Sequence, residues 1–356
     1  MNLSQHPRLL FNPTGIEALK QRLAKQTWLQ AIWQTKLDKL AGVLEEGVEL
    51  PERGGGWWHW YASPKTGAPL KTGQQLSKWE WEHIDTVNGE VFLGDRGQSS
   101  TDYDLCVLMG VHGRWAQKVR DLGLAYQITG EPRYAAKARE ILLAYVSAYP
   151  TYALHTTRGE AKVGGGKVGP QTLDEAVWLI PFAQGADMVW DTLSDAEQKQ
   201  ITHDVLEVAA REVILPHEMK VHNIQCWKNS AVGLVGFLMG DEELISQAID
   251  HPERGYHKQM ADGVTPDGQW WEGAWGYHFY TLSALWPLTE AARNCGVNLY
   301  QDALNRMFDG PIRFAMPHMH LPAFNDSHEV DLSERASLYE IAQARYGSPD
   351  YAELLR

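Results

Sequence analysis

Apolar residues recur at three- and four-residue spacing through most of this chain, in stretches of about 20 residues parted by Gly-, Pro- or polar-rich breaks. Little of it alternates with a period of two. A chain of this kind buries its apolar stripes only by packing helix on helix, so the pattern predicts an all-α fold of antiparallel hairpins. The expected helices cover 13–25, 28–45, 110–130, 132–149, 171–191, 223–240, 241–260, 277–295 and 299–316. Ser194, with Glu197 three residues on, is a capping box and marks a further helix start. Residues 51–100 are rich in Gly, Trp, Ser and Thr, with prolines at 51, 64 and 69, and read as a long irregular region. Loops of that length in a compact domain usually carry function. Beyond Pro317 the texture becomes linker-like, closed by a last helix over about 333–346. No internal repeat supports a solenoid.

A length of 356 residues allows one large domain or two ordinary ones. The net charge of −13 argues against nucleic acid or an anionic membrane as the main partner, but leaves room for a local basic cleft. Arg114 and Arg158 are candidates for such a cleft. The three cysteines, Cys106, Cys226 and Cys295, have neither metal spacing nor the even count of a disulfide framework. No signal peptide or membrane-spanning run is visible, and the expected location is periplasmic or cytoplasmic in a bacterial-type cell.

The fifteen tryptophans are the distinctive part of the composition, because many sit beside Gly, His or Tyr rather than in apolar runs. That distribution suits a carbohydrate cleft, where aromatic faces stack on sugar rings and Tyr or His tips move protons. Three segments concentrate this chemistry. Residues 267–280 pack Trp270, Trp271, Trp275, Tyr277, Tyr280, His278, Asp267 and Glu272 at a Gly-broken helix entry; the plainer reading is a Trp-rich core corner. Residues 222–230 open an apolar helix with His222, Gln225 and Asn229 on one face and Asn223 and Trp227 on an adjacent strip. The free N–H groups of that helix start suit a carboxylate. Residues 169–178 start another helix, with Gln171 and Trp178 candidates to face a cleft, and Asp174 and Glu175 where the helix dipole favours them. His318, His320, Asp326 and His328 form a loose His/Asp cluster without a zinc spacing. Phosphate-loop and Gly-x-Ser-x-Gly motifs are absent.

Several of these segments, in this order, resemble the heparinase II/III-type polysaccharide lyases and related alginate lyases. They are His6-Pro7-Arg8-Leu9-Leu10-Phe11, Trp58-His59-Trp60-Tyr61-Ala62-Ser63-Pro64, the run from Gln171 to Trp178, the His222-Asn223 helix, Glu272-Gly273 followed by Tyr277-His278-Phe279-Tyr280, and the run from Leu321 to Ser327. The resemblance implies an incomplete (α/α) toroid over 1–316. It implies that 317–356 leads towards a C-terminal β-sandwich domain absent from this chain. It also implies β-elimination on an anionic, uronate-containing polysaccharide or oligosaccharide, with no cofactor required and a structural divalent cation still compatible.

In such lyases an Asn and a His at one helix start bind the substrate carboxylate, and a Tyr about 55 positions later handles protons. Here that makes His222, Asn223 and Tyr277 the catalytic set, with the His-Asn order reversed from many relatives and Tyr280 the rival phenol. Substrate contacts are expected from Gln171, Trp227, Trp271 and Glu272. His278, Tyr280, Arg114, Trp58 and His59 complete that set. His318, His320 or His328 would supply a second base. A free phenol titrates near pH 10, so a Tyr base calls for a positive neighbour such as His278 or Arg114. Two other readings remain. One is a hydrolase using two of Asp174, Glu175, Asp267 and Glu272. The other is a glycan-binding toroid without catalysis.

Overall fold

The computed structural model describes every residue except Asn2 and Ser4. By its contacts the chain falls into two units, Phe11–His217 and Met1–Leu10 with Glu218–Arg356. Both are mainly helical, as the apolar periodicity requires.

In the first unit, α1 (Pro13–Lys25) is capped by the Asn12 side chain, which accepts from the Gly15 N–H at 2.9 Å. α2 (Thr27–Glu45) follows. A three-stranded antiparallel sheet in the order β1 (Leu70–Ser77), β2 (Glu80–Asp85), β3 (Val91–Phe92) occupies much of the region expected to be irregular. Its period of two is hidden for two reasons. The inward residues of β2 are His83 and Asp85, which are polar, and the β1–β2 register slips on both sides of Gln75. His83 is buried between the Tyr61 hydroxyl (2.9 Å) and the Asp104 carboxylate (3.0 Å), so this face is held by hydrogen bonds.

α3 (Asp104–Thr129) begins six residues earlier than the apolar stripe suggests and ends at Gly130 in the left-handed region. α4 (Pro132–Ala148) starts directly after it with Pro at its first position. α5 (Thr172–Val189) packs closely on α3. A Cβ on Gly185 would lie 2.5 Å from the Val119 backbone, so the approach needs glycine. The unit's centre is aromatic. Trp178 stacks on Tyr149 at 5.5 Å and on Phe182 at 4.9 Å. α6 (Asp195–Ile201) opens on the expected Ser194/Glu197 capping box and continues as π-helical turns to Ile214.

In the second unit, α7 (Asn223–Met239) packs against α8 (Glu242–Ile249) and α10 (Trp275–Asn294). The single helix expected over 241–260 is two, α8 and α9 (Tyr256–Gly263), because Pro252 and Gly255 break it. α11 (Asp302–Phe314) is followed by a short two-stranded pairing, β4 (His320–Leu321) with β5 (Val330–Asp331). The last helix expected over about 333–346 is present, and the segment after 317 packs on this unit. α12 (Ala336–Tyr346) and α13 (Pro349–Leu354) bury Tyr339 and Tyr351 beside Phe308 of α11. No helix among the described residues is long and apolar enough to cross a membrane.

Candidate active site

The second unit brings together the two segments expected to carry the chemistry. His222 is the N-cap of α7; its Nδ1 accepts from the Ile224 N–H at 3.2 Å, and its own backbone N–H donates to the Gln259 side chain at 3.1 Å. With Nδ1 an acceptor, the neutral ring carries its proton on Nε2, which lies 3.4 Å from a Glu272 oxygen. Asn223, the first residue of α7, is nearly buried, and its amide Nδ2 lies 3.0 and 2.8 Å from the two Glu272 oxygens. The indole N–H of Trp270 donates to the same carboxylate at 2.6 Å. Three side chains thus converge on Glu272. The donors expected to meet a substrate carboxylate meet an internal one here.

The backbone places Glu272 by a tight return. Val264 bridges to Trp270, Trp270 is completely buried, and Trp271 is turned outward, 49 % exposed. Gly273 follows at φ 74°, and a Cβ there would lie 2.3 Å from the Asn325 amide nitrogen, so glycine is required. α10 then starts at Trp275 and presents Tyr277 in its first turn, 37 % exposed. The Tyr277 hydroxyl donates to Asp326 at 3.1 Å, and the Gly276 N–H donates to the Ser327 hydroxyl at 3.0 Å. The hydrogen bond to Asp326 is the largest influence on the phenol. With partial burial and the negative charges of Asp326 and Glu272 it pushes Tyr277 above its ordinary value. The positive neighbour expected to lower it is replaced by carboxylates.

His278 does not face solvent. It is fully buried, its Nδ1 accepts from the Trp270 N–H at 3.1 Å, and its Nε2 bonds the Met307 carbonyl at 2.8 Å. Burial lowers it to about 4, so it is a neutral pin that ties the 264–274 return to α10 and α11. The Gln225/Asn229 face of α7 also points inward: the two side chains bond each other at 2.7 Å, and Asn229 reaches the Arg254 carbonyl. Trp227 and Tyr280 lie ring against ring, 5.0 Å apart and half-buried. His320 pairs with Glu329 at 3.0 Å. No group of three His, Cys, Asp or Glu side chains among the described residues is placed to hold a metal ion.

The remaining expected contacts belong to the other unit. Trp58 is 64 % exposed and leans on Tyr61, and His59 is exposed beside Trp57. Arg114 is exposed on α3, at the rim of a cavity of about 820 Å³ between α2, α3 and α5. Gln171 is the N-cap of α5 but makes no capping bond with its side chain. Glu175 is fully buried, accepting from the Tyr149 hydroxyl and from the Lys167 and Val168 N–H groups, and so braces the 163–170 loop. Asp174 keeps one oxygen without a partner, and burial pushes it up to about 7.

The alginate lyase family model matches residues 62–323, about three quarters of the chain. The chain belongs to the alginate lyase family. Among curated proteins it is 32 % identical over 182 residues to an exo-oligoalginate lyase of Saccharophagus degradans and 30 % identical over 178 residues to an alginate lyase of Stenotrophomonas maltophilia. These alignments cover 49 % and 48 % of this chain but only 24 % of either relative, so the chain spans about a quarter of their length. Among solved structures it resembles an alginate lyase from Bacteroides ovatus, with a TM-score of 0.64 and 13 % identity over 98 % of this chain and 95 % of that one. It also resembles alginate lyase A1-III from a Sphingomonas species, with a TM-score of 0.55 and 15 % identity over 99 % of this chain and 95 % of that one. A tetrasaccharide complex of a variant of A1-III matches at 0.56 and 15 % identity, over 99 % of this chain and 94 % of that one. These likenesses establish the fold class expected from the sequence, the incomplete (α/α) toroid of the alginate lyases.

The contacts of Trp270 with Glu272, Asp326 with Tyr277 and Ser327 with Gly276 were not expected from the sequence, where Asp326 fell in the loose His/Asp cluster.

Proposed function

We propose that this chain is a polyuronate lyase that breaks a 4-O-linked uronate by β-elimination, with alginate or alginate oligosaccharides as substrate. The observation that carries the reading is the exposed Tyr277 phenol, which feels the charge of Glu272, the same carboxylate that Asn223 Nδ2 and His222 Nε2 approach. Membership of the alginate lyase family supports it, as do the names of the relatives, which favour alginate over a glycosaminoglycan. The tetrasaccharide bound to the A1-III relative fits an anionic oligosaccharide as ligand.

Elimination breaks C5–H and C4–O4 and forms the C4=C5 double bond. The C5 proton becomes acidic only when the neighbouring carboxylate is neutralised by hydrogen bonds as charge builds on it. His222 and Asn223 supply those bonds once the substrate carboxylate shares their hydrogens with Glu272. Ionised Tyr277 takes the C5 proton and, as a phenol, delivers it to O4, so the proton count closes on one residue. Because carboxylates hold Tyr277 protonated, the rate rises with alkalinity. His222 is the poorer base: the lone pair of its Nδ1 is committed to the Ile224 N–H. The hydrolytic reading calls for two carboxylates flanking the scissile bond. Glu175 is buried in the core and Glu272 is bound by its two donors, Asn223 and Trp270, so neither suits that task.

The test is ultraviolet absorbance during incubation with polymannuronate, polyguluronate, polyglucuronate and polygalacturonate. A rise from the conjugated product on the first two supports the proposal. Reducing ends released without that absorbance would refute it.

A further inference from the structure

Three consecutive residues of the 322–329 loop each meet the short turn that delivers Tyr277. The Asn325 amide lies against Gly273, where a side chain would collide with it. The Asp326 carboxylate accepts from the Tyr277 hydroxyl, and the Ser327 hydroxyl accepts from the Gly276 N–H. Asn325 adopts φ 50°, a conformation that Asn tolerates better than most residues, which turns the loop onto the helix entry. About fifty positions separate the two segments, so the register is a product of tertiary structure. Residues 320 and 321, paired with 331 and 330, clamp the loop's two ends together.

We propose that Asp326 is a positioning residue for Tyr277, holding the phenol oxygen through its O–H in the resting site, with Asn325 and Ser327 latching the loop to α10. This rests on the elimination reading for its consequence, but not for its geometry. A phenol that donates to one acceptor loses its freedom to rotate, so its oxygen presents the remaining lone pair in a fixed direction. The same bond favours the protonated form. The charged groups acting on the phenol are Asp326 from this loop and Glu272 from the 270–274 turn, and both are acidic. His222 is paired with Glu272. Removing the charge at position 326 should therefore make the phenol easier to ionise and less well aimed, two effects that pull the rate in opposite directions and separate cleanly by pH.

The experiment uses the full chain as wild type, Asp326→Asn, Asp326→Glu and Tyr277→Phe, with Tyr277→Phe also made in the Asp326→Asn background. Tyrosinate absorbance is titrated in each, and subtracting the Tyr277→Phe curve isolates the one phenol. The proposal expects the Tyr277 midpoint to fall by about one pH unit in Asp326→Asn, the scale of one hydrogen bond to a charged acceptor, and to return towards wild type in Asp326→Glu. An unchanged midpoint in Asp326→Asn overturns the pairing, whatever the activity. On alginate, the rising limb of kcat against pH should move down by the same amount while the plateau drops and KM stays within about twofold. A loss of kcat at every pH with no movement of the limb would mean that Asp326 serves the fold alone. Absence of unsaturated product from wild type would sink the elimination reading and leave the titration to judge the pairing.

Discussion

Acid should unfasten the Tyr277 turn through His278. The ring is neutral because both of its nitrogens are already assigned: Nδ1 accepts from the Trp270 N–H and Nε2 donates to the Met307 carbonyl. A second proton on Nδ1 would face another N–H in a fully buried site. Burial accordingly holds the group near 4, against 6.5 for an ordinary His. The sign follows from proton counting. Between these two values the unfolded chain binds the proton and the folded chain does not, so stability falls as pH drops from 6.5 towards 4 and is fully present above 6.5. Two and a half units correspond to about 3 kcal/mol. To isolate this group, urea unfolding is followed by Trp fluorescence for wild type and for His278→Gln, whose amide can serve both partners without titrating. His112, buried in the other unit and also lowered to about 4, is present in both proteins and cancels in the difference. The stability of wild type relative to His278→Gln should decline by about 3 kcal/mol from pH 7 to pH 4. A difference that stays flat across that range would refute the assignment of His278 as a buried neutral pin. Kinetic assays over the same range should show alginate turnover collapsing as this unit opens.

Other consequences can be checked with single substitutions. Glu272→Gln keeps the shape but sets an amide N–H against the Asn223 amide and removes the charge that its donors share; it should cost about 2–4 kcal/mol and lower kcat at least tenfold, read by urea denaturation and initial rates. Asp174→Asn should do the reverse in the other unit. A carboxyl raised from 3.8 to about 7 loses stability as pH climbs between those values, so the amide should be the more stable form at pH 8, by roughly 1–4 kcal/mol given the group's partial exposure, and equal to wild type near pH 4. A wild type that is the more stable at pH 8 would contradict the buried-carboxyl account.

The helical class was legible because apolar stripes at helical spacing leave little choice of partner, and strong punctuation such as Gly130 with Pro132 fixed the hairpins. The sheet over 70–92 was hidden because its inward side chains, His83 and Asp85, are polar and satisfied by hydrogen bonds instead of apolar packing. At the site, the resemblance to known lyases pointed to His222, Asn223 and Tyr277 as one set, with Glu272 expected as a substrate contact. Their wiring was not in the pattern. Whether Asn223 points at solvent or at Glu272, and whether His278 is surface or core, depends on side-chain direction within a helix turn, which spacing alone does not resolve. Asp326 was out of reach for a related reason: its contact with Tyr277 spans 49 positions and is set by the β4–β5 clamp and the Gly273 turn.

The central claim is that Tyr277 drives an elimination, and product mass tests it most directly. A purified alginate oligosaccharide is digested with wild type and with Tyr277→Phe, and the fragments are weighed. Elimination gives fragments whose masses sum to that of the substrate, one of them an unsaturated uronate, and Tyr277→Phe should reduce their formation by roughly a hundred- to ten-thousandfold, the range for losing a positioned proton-transfer group. Fragments whose masses sum to substrate plus one water, or undiminished cleavage by Tyr277→Phe, would contradict the account.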